Sequence, residues 1–273
     1  MVGAMGENSG LAAGPEVSGK GAIVDQQADR MQNPKLEGSL IIDAIPQTGE
    51  CPLCCSQCFY NAPGFYRTLE KPLIPTAEEA LNKIVRVNSG NDSNVKRDLV
   101  IAATKDYPRK FYNTSVPRLD FGAPVVLTIN GRDTDKTFYA PSDVKGKLED
   151  LMFVRFRADT WNLELCDDAV DLWCVGEGIP LVLTTMRYYD RESVKRPGDY
   201  LYKKHILNES FSLKTEALRG IFARYSQENL VFYCGNPVSE STMCADCRVC
   251  EHTFDKALLR VEANQAREKA KVA

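Results

Sequence analysis

Ten cysteines are spread unevenly along this 273-residue chain. The stretch GECPLCCSQCFYNAPGF places Cys51, Cys54, Cys55 and Cys58 within eight positions, and YCGNPVSESTMCADCRVCEHTF carries Cys234, Cys244, Cys247 and Cys250 near the other end. Thiolates are soft ligands for zinc and iron-sulfur clusters, and in a reducing compartment clustered thiols hold metal more often than they form disulfides. Two ligand sets compete in the first group. All four thiols make two adjoining C-x2-C pairs, but the neighbours Cys54 and Cys55 project in divergent directions and fit poorly into one closed cage. Alternatively Cys51, Cys55 and Cys58 form a C-x3-C-x2-C set with Cys54 left over. Three thiolates on a four-iron cluster leave one iron open, as a reactive centre requires.

The second group has the spacing C-x9-C-x2-C-x2-C, four soft ligands for one metal site. Zinc and an iron-sulfur cluster both satisfy it. His252, two residues past Cys250, is either a substitute ligand or an exposed neighbour. Cys166 and Cys174, within LELCDDAVDLWCVGEG, read as small buried thiols on an apolar helix face.

The elements that must position these groups follow from the pattern. Residues 1–36 are rich in Gly, Ala and polar types and read as a flexible arm. Short apolar runs then alternate with helix-like segments: LEGSLIIDAI, the helix PTAEEALNKIV, DLVIAATKD, PRKFYNTSV, APVVLTING, a helical stretch near SDVKGKLEDL, MFVRFRAD, NLELCDDAVDLWCVGEG and IPLVLTTMRYY. Continuous β-branched and Leu-rich runs of this kind point to a parallel sheet covered by helices. In NLELCDDAVDLWCVGEG, Asn162 is a candidate cap, Leu163, Cys166, Val170 and Trp173 share a face, and Gly176 and Gly178 stop the helix before Pro180. The first cysteine group lies just past SLIIDAI, in the loop after the first strand. Barrels and open α/β sheets place their chemistry at that end.

Composition sets the outer bounds. With 44% hydrophobic and 26% charged residues, the chain can bury a sizeable core. A net charge of −3, with basic and acidic residues intermixed, supplies no overall pull toward nucleic acid, which is not the expected partner. The run DYPRKFYNTSVPR mixes cations with aromatics but reads as a loop entering a strand, and His205 as a surface or packing residue. No apolar run of about 18 residues is present and no signal-peptide pattern opens the chain, so the expected protein has no membrane partner and a cytoplasmic location. KALLRVEANQAREKAKVA reads as a solvated C-terminal helix.

CPLCCSQC, placed after a first strand and before alternating α/β elements, resembles the radical S-adenosylmethionine (radical SAM) superfamily. The resemblance implies a partial (β/α)6-type barrel of parallel strands over residues 37–230, with a small cysteine-rich metal-binding extension and C-terminal helix over 231–273. It implies that Cys51, Cys55 and Cys58 hold a [4Fe-4S] cluster whose open iron binds S-adenosylmethionine, cleaved by one electron to a deoxyadenosyl radical that acts on an unidentified substrate. An electron donor is an implied partner. RVNSGNDSN is similar to the family's glycine-containing turn after the second strand, which assigns Ser89, Gly90, Asn91 and Asp92 to the cofactor. VVLTING, ending in Thr128, Asn130 and Gly131, resembles the end of the fourth strand. FVRFRADTWN brings Arg155, Arg157 and Asp159 toward the cofactor ribose and carboxylate, and Thr184 opens the last strand's rim. The C-terminal thiols then hold a second iron-sulfur cluster or zinc, as auxiliary sites do in the family. Against this stands a non-catalytic binding protein in which zinc occupies the thiol groups.

Overall fold

Among the described residues ten short runs become strands: β1 (Ile41–Ala44), β2 (Ile84–Val87), β3 (Lys110–Thr114), β4 (Val125–Ile129), β5 (Leu151–Ala158), β6 (Leu181–Thr185), β7 (Arg187–Tyr188), β8 (Tyr200–Lys204), β9 (Glu209–Leu213) and β10 (Val231–Tyr233). The structure is a computed structural model and describes residues 32–53, 55, 70–129, 138–185, 187–189, 191–204, 209–235, 239 and 241–272. Strands β1 to β6 and then β10 pair side by side in that order, every pair parallel. The helices are α1 (Arg97–Thr104), α2 (Leu163–Ala169), α3 (Thr215–Arg224), the short α4 (Cys244–Cys247) and α5 (Val249–Val272).

This order has a geometric consequence. Each crossover steps in the same direction, so strand twist accumulates in one sense and the sheet forms a curled, open half-barrel. Side-chain alternation then sorts two layers. On the outer face, Val100 of α1, Cys166 and Ala169 of α2 and Ile221 of α3 share one buried cluster with Val85 and Leu127 of the sheet. On the inner face, Ile41, Ile84, Phe111 and Val126 form a second cluster with Phe254 and Ala257 of α5. The C-terminal helix therefore fills the inside of the half-barrel with apolar side chains. Its polar contacts mark where it lies. Glu251 accepts from the Leu40 amide just before β1 at 3.0 Å, Asp255 pairs with Arg109 just before β3, and Arg260 donates to the Leu151 carbonyl at the start of β5. All three lie at the amino ends of the strands, which leaves the carboxyl ends for other groups.

The edge strand β1 is closed to further pairing. Its Ile41 amide donates to Ser39 Oγ at 3.2 Å, the Gln32 side-chain amide pairs with both backbone groups of Asp43, and Ile45 exchanges two backbone bonds with Leu73. With those groups satisfied by local partners, β1 offers no ladder to β10 and the barrel stays open.

Several expected elements take another form. The parallel sheet has a seventh strand, β10, contributed by the NLVFY run. PTAEEALNKIV is a series of turns rather than a helix: Thr76 and Glu79 make a reciprocal capping pair, but Asn82 enters the left-handed region at φ 61° and the chain straightens into β2. SDVKGKLEDL holds two single 3-10 turns, Pro141–Asp143 and Leu148–Asp150, separated by Gly146 at φ 114°. The β3 to β4 crossover has no helix; its loop residues Leu119 and Phe121 enter the outer core instead, Phe121 stacking on Tyr112 with ring centroids 4.5 Å apart. The helix after β5 forms with Cys166, Val170 and Trp173 buried, and its second half, Val170–Gly176, winds as a π-helix that also buries Cys174. Asn162 does not cap it by its side chain.

Candidate functional site

The inner face changes character along the strands. Above the apolar row filled by Phe254 comes a polar one, beginning with Asp43 of β1 and Arg86 of β2. Arg86 Nε and Nη2 donate to the two carboxylate oxygens of Asp43 at 2.6 and 3.0 Å, with Asp43 fully enclosed. Nearer the carboxyl ends, Arg155 of β5 donates to Asn113 Oδ1 at 3.2 Å, and Asn113 donates to the Val87 carbonyl at 2.9 Å. Strand register then sets Arg157 of β5 level with Thr184 of β6. Arg157 is buried.

The loop after β2 is organised by Asp92, which faces inward. Its carboxylate accepts from the Asn94 amide at 2.8 Å, Thr114 Oγ1 at 2.9 Å and the Ser115 amide at 2.5 Å, tying this loop to the end of β3. Burial raises its pKa above the ordinary carboxylate value, against the three hydrogen bonds, which lower it. Gln47, between β1 and the first cysteine segment, donates through Nε2 to the Asp92 carbonyl at 3.0 Å and the Val95 carbonyl at 2.8 Å. Ser89, Gly90 and Asn91 are half-buried on the same loop. At this end of the sheet, Gln47 Oε1, Asn88 Oδ1, Ser89 Oγ and Thr184 Oγ1 are buried with no hydrogen-bond partner among the described residues. Orphaned buried polar atoms are rare and call for a ligand or water.

Asp159, just past β5, is fully buried and serves the scaffold. Its Oδ2 accepts from Tyr188 of β7 at 2.6 Å and from Tyr200 of β8, while its backbone amide donates to Asn162 Oδ1 at 2.7 Å. Burial, with the adjacent carboxylate, pushes both tyrosines well above their ordinary value. This node fastens the small antiparallel sheet β7-β9-β8 to the carboxyl end of the half-barrel. The aromatic pattern of MRYYDRE and GDYLYKK was its only sequence sign.

The four C-terminal thiols form a strap across the inner face. Cys234 directly follows β10, whose continued register brings it level with Thr184: its amide donates to the Leu183 carbonyl at 2.8 Å. Gly235, at φ 107°, donates its amide to Cys247 Sγ at 3.3 Å. Ala245 of α4 lies against Gly38, ahead of β1. The described ends of this segment thus lie at Cys234, beside β6, and at α4, beside the residues that precede β1. Burial raises the Cys244 and Cys247 thiols and pushes Cys250 up to about 12; Arg86 pulls Cys244 and Cys250 back down, Arg155 acts likewise on Cys250, and Cys234 is close enough to disfavour ionisation of all three. His252 is exposed, its ring 6.4 Å from that of Phe232. Among the described residues no set of three or more His, Cys, Asp or Glu side chains is closed around a metal position. Cys51 and Cys55 are half-buried at the start of the loop that follows β1, and Thr128 is half-buried in β4. Cys54, Cys58, Asn130, Gly131 and His205 lie outside the described residues.

No family model matches the chain, and no curated protein does. Among solved structures, it is similar at 11% identity and a TM-score of 0.40 to a mutant spore photoproduct lyase with bound AdoMet and dinucleoside spore photoproduct, over 66% of this chain and 72% of that one. Among the described residues no helix is long and apolar enough to cross a membrane.

Proposed function

We propose that this chain is a radical SAM enzyme: Cys51, Cys55 and Cys58 hold a [4Fe-4S] cluster, and the carboxyl ends of the strands bind S-adenosylmethionine. The observation that carries the reading is the convergence of two features on one rim. The C-x3-C-x2-C segment leaves the half-barrel after β1, and the same rim holds the orphaned buried atoms of Gln47, Asn88, Ser89 and Thr184. Those acceptors and hydroxyls, with the cations Arg155 and Arg157 across the sheet, fit a ligand that carries amino, carboxylate and hydroxyl groups together. Held by Cys51, Cys55 and Cys58, a cluster would supply one-electron reduction chemistry to S-adenosylmethionine, with the electron coming from a donor and methionine as the leaving group.

The remaining work falls to this chain's own residues. Asp92 and Gln47 hold the loop after β2 against its neighbours, so Ser89, Gly90 and Asn91 are presented in a set conformation. Phe254 and its apolar row fill the inner face toward the amino ends and keep water out on that side. Arg155, steadied by Asn113, offers positive charge for a ligand carboxylate. In the same reading the strap of Cys234, Cys244, Cys247 and Cys250 holds a second cluster or zinc, and an electron donor and an unidentified substrate complete the reaction. Metal analysis of anaerobically purified protein separates this from a zinc-binding protein. Iron with acid-labile sulfide and a brown colour is expected, whereas a colourless protein containing only zinc would refute it.

A further inference from the structure

Gln47 was not among the residues that sequence patterns single out, yet its environment is unusually decisive. The side chain is 1% exposed, and it stands between β1 and the first cysteine segment. Its Nε2 spends both hydrogens on backbone carbonyls, those of Asp92 and Val95. A carbonyl cannot donate, so the amide cannot be turned over without opposing oxygen to oxygen at both positions. The orientation is thereby fixed, and Oε1 is an acceptor that is buried and has no partner among the described residues. Leaving such an atom unmet costs more than a formed hydrogen bond returns, so a residue held this firmly is a poor choice for structure alone.

We infer that Gln47 is a ligand-binding residue whose Oε1 accepts a hydrogen bond from an N–H or O–H donor of bound S-adenosylmethionine. The inference rests on the cofactor reading above and adds to it a contact on the β1 side, next to Asn88 and Ser89, whose own orphaned atoms face the same requirement. It also links the two halves of the site. The residue that touches the cofactor is the one that braces the loop after β2, so cofactor binding tightens that loop against the start of the cysteine segment.

Two substitutions divide the donor role of Gln47 from its acceptor role. Gln47→Lys keeps N–H donors for the two carbonyls and removes the acceptor; Gln47→Glu keeps the acceptor and removes the donors. Calorimetric titration of S-adenosylmethionine into the anaerobically reconstituted proteins, beside their thermal unfolding, reads both. Gln47→Lys is expected to weaken binding at least about tenfold, the size of one buried hydrogen bond to a charged or strongly polar partner. Gln47→Glu, which keeps the acceptor but loosens the loop, is expected to lose clearly less affinity than Gln47→Lys while showing the lower unfolding midpoint. Wild-type affinity in Gln47→Lys overturns the inference, and so does equal loss in both variants, which marks a purely structural residue. If the wild type itself binds no S-adenosylmethionine, the cofactor reading falls and this contact falls with it.

Discussion

A single carboxylate, Asp92, holds the loop after β2 in place by accepting three hydrogen bonds. Asp92→Asn presents an amide hydrogen where an oxygen accepted, leaving a buried donor unmet, and is expected to cost about 1–3 kcal/mol in urea unfolding at neutral pH. The pH dependence has a definite sign. Folding raises the Asp92 pKa, so its contribution is fully present below the unfolded value of 3.8 and is lost as pH rises through the higher folded value. The advantage of wild type over Asp92→Asn should therefore shrink as pH increases through that window; an advantage that grows would mean that the hydrogen bonds outweigh burial. The resemblance assigns Asp92 to the cofactor, and in the structure its carboxylate accepts from Asn94, Thr114 and Ser115. RVNSGNDSN shows that a turn is present, whereas the partners that draw the carboxylate inward, Thr114 and Ser115, belong to a strand end more than twenty residues away.

Among the elements, α5 and the cysteine strap do unlike jobs. Phe254 is 1% exposed within the inner apolar cluster, beside Phe111 and Val126, so Phe254→Ala is expected to cost about 3–5 kcal/mol and to loosen the whole C-terminal helix. Hydrogen exchange across α5 checks it, and protection unchanged from wild type would mean that the helix is held by its polar ends alone. The strap depends on what its thiols bind. Under the proposed metal site, Cys247→Ser is expected to lower the unfolding midpoint and open residues 234–254 to protease while iron at the first cysteine group is retained. Loss of that iron with the strap still protected would show that the two groups share one site. Both elements were partly legible beforehand. The x2 spacings mark the thiols, and KALLRVEANQAREKAKVA forms the helix it reads as, with Ala257 its buried residue among those described; the anchors Thr253 and Phe254 precede that run and give only a short apolar stripe.

The whole molecule follows the alternation of apolar runs closely where the runs are continuous. LIIDA, VVLTI, MFVRFRA and LVLTT all become parallel strands, since a strand buried on both faces needs no alternation to be recognised. Legibility failed where long-range packing overrides local preference. The good helix formers of PTAEEALNKIV gain no buried face and stop after one turn, and the short run VFY becomes a strand only because β6 lies beside it. The cysteine spacings and the turn after β2 are visible in the sequence; Gln47 is not singled out, because a lone glutamine after a strand carries no spacing signal. The central claim is the open three-thiolate cluster on that rim, and its most direct measurement is deoxyadenosine formation from S-adenosylmethionine by anaerobically reconstituted protein with a one-electron reductant. Wild type and Cys54→Ser are expected to form it at comparable rates, while Cys51→Ser, Cys55→Ser and Cys58→Ser form none. Absence of deoxyadenosine from fully iron-loaded wild type, or loss in Cys54→Ser equal to that in Cys55→Ser, would contradict the account.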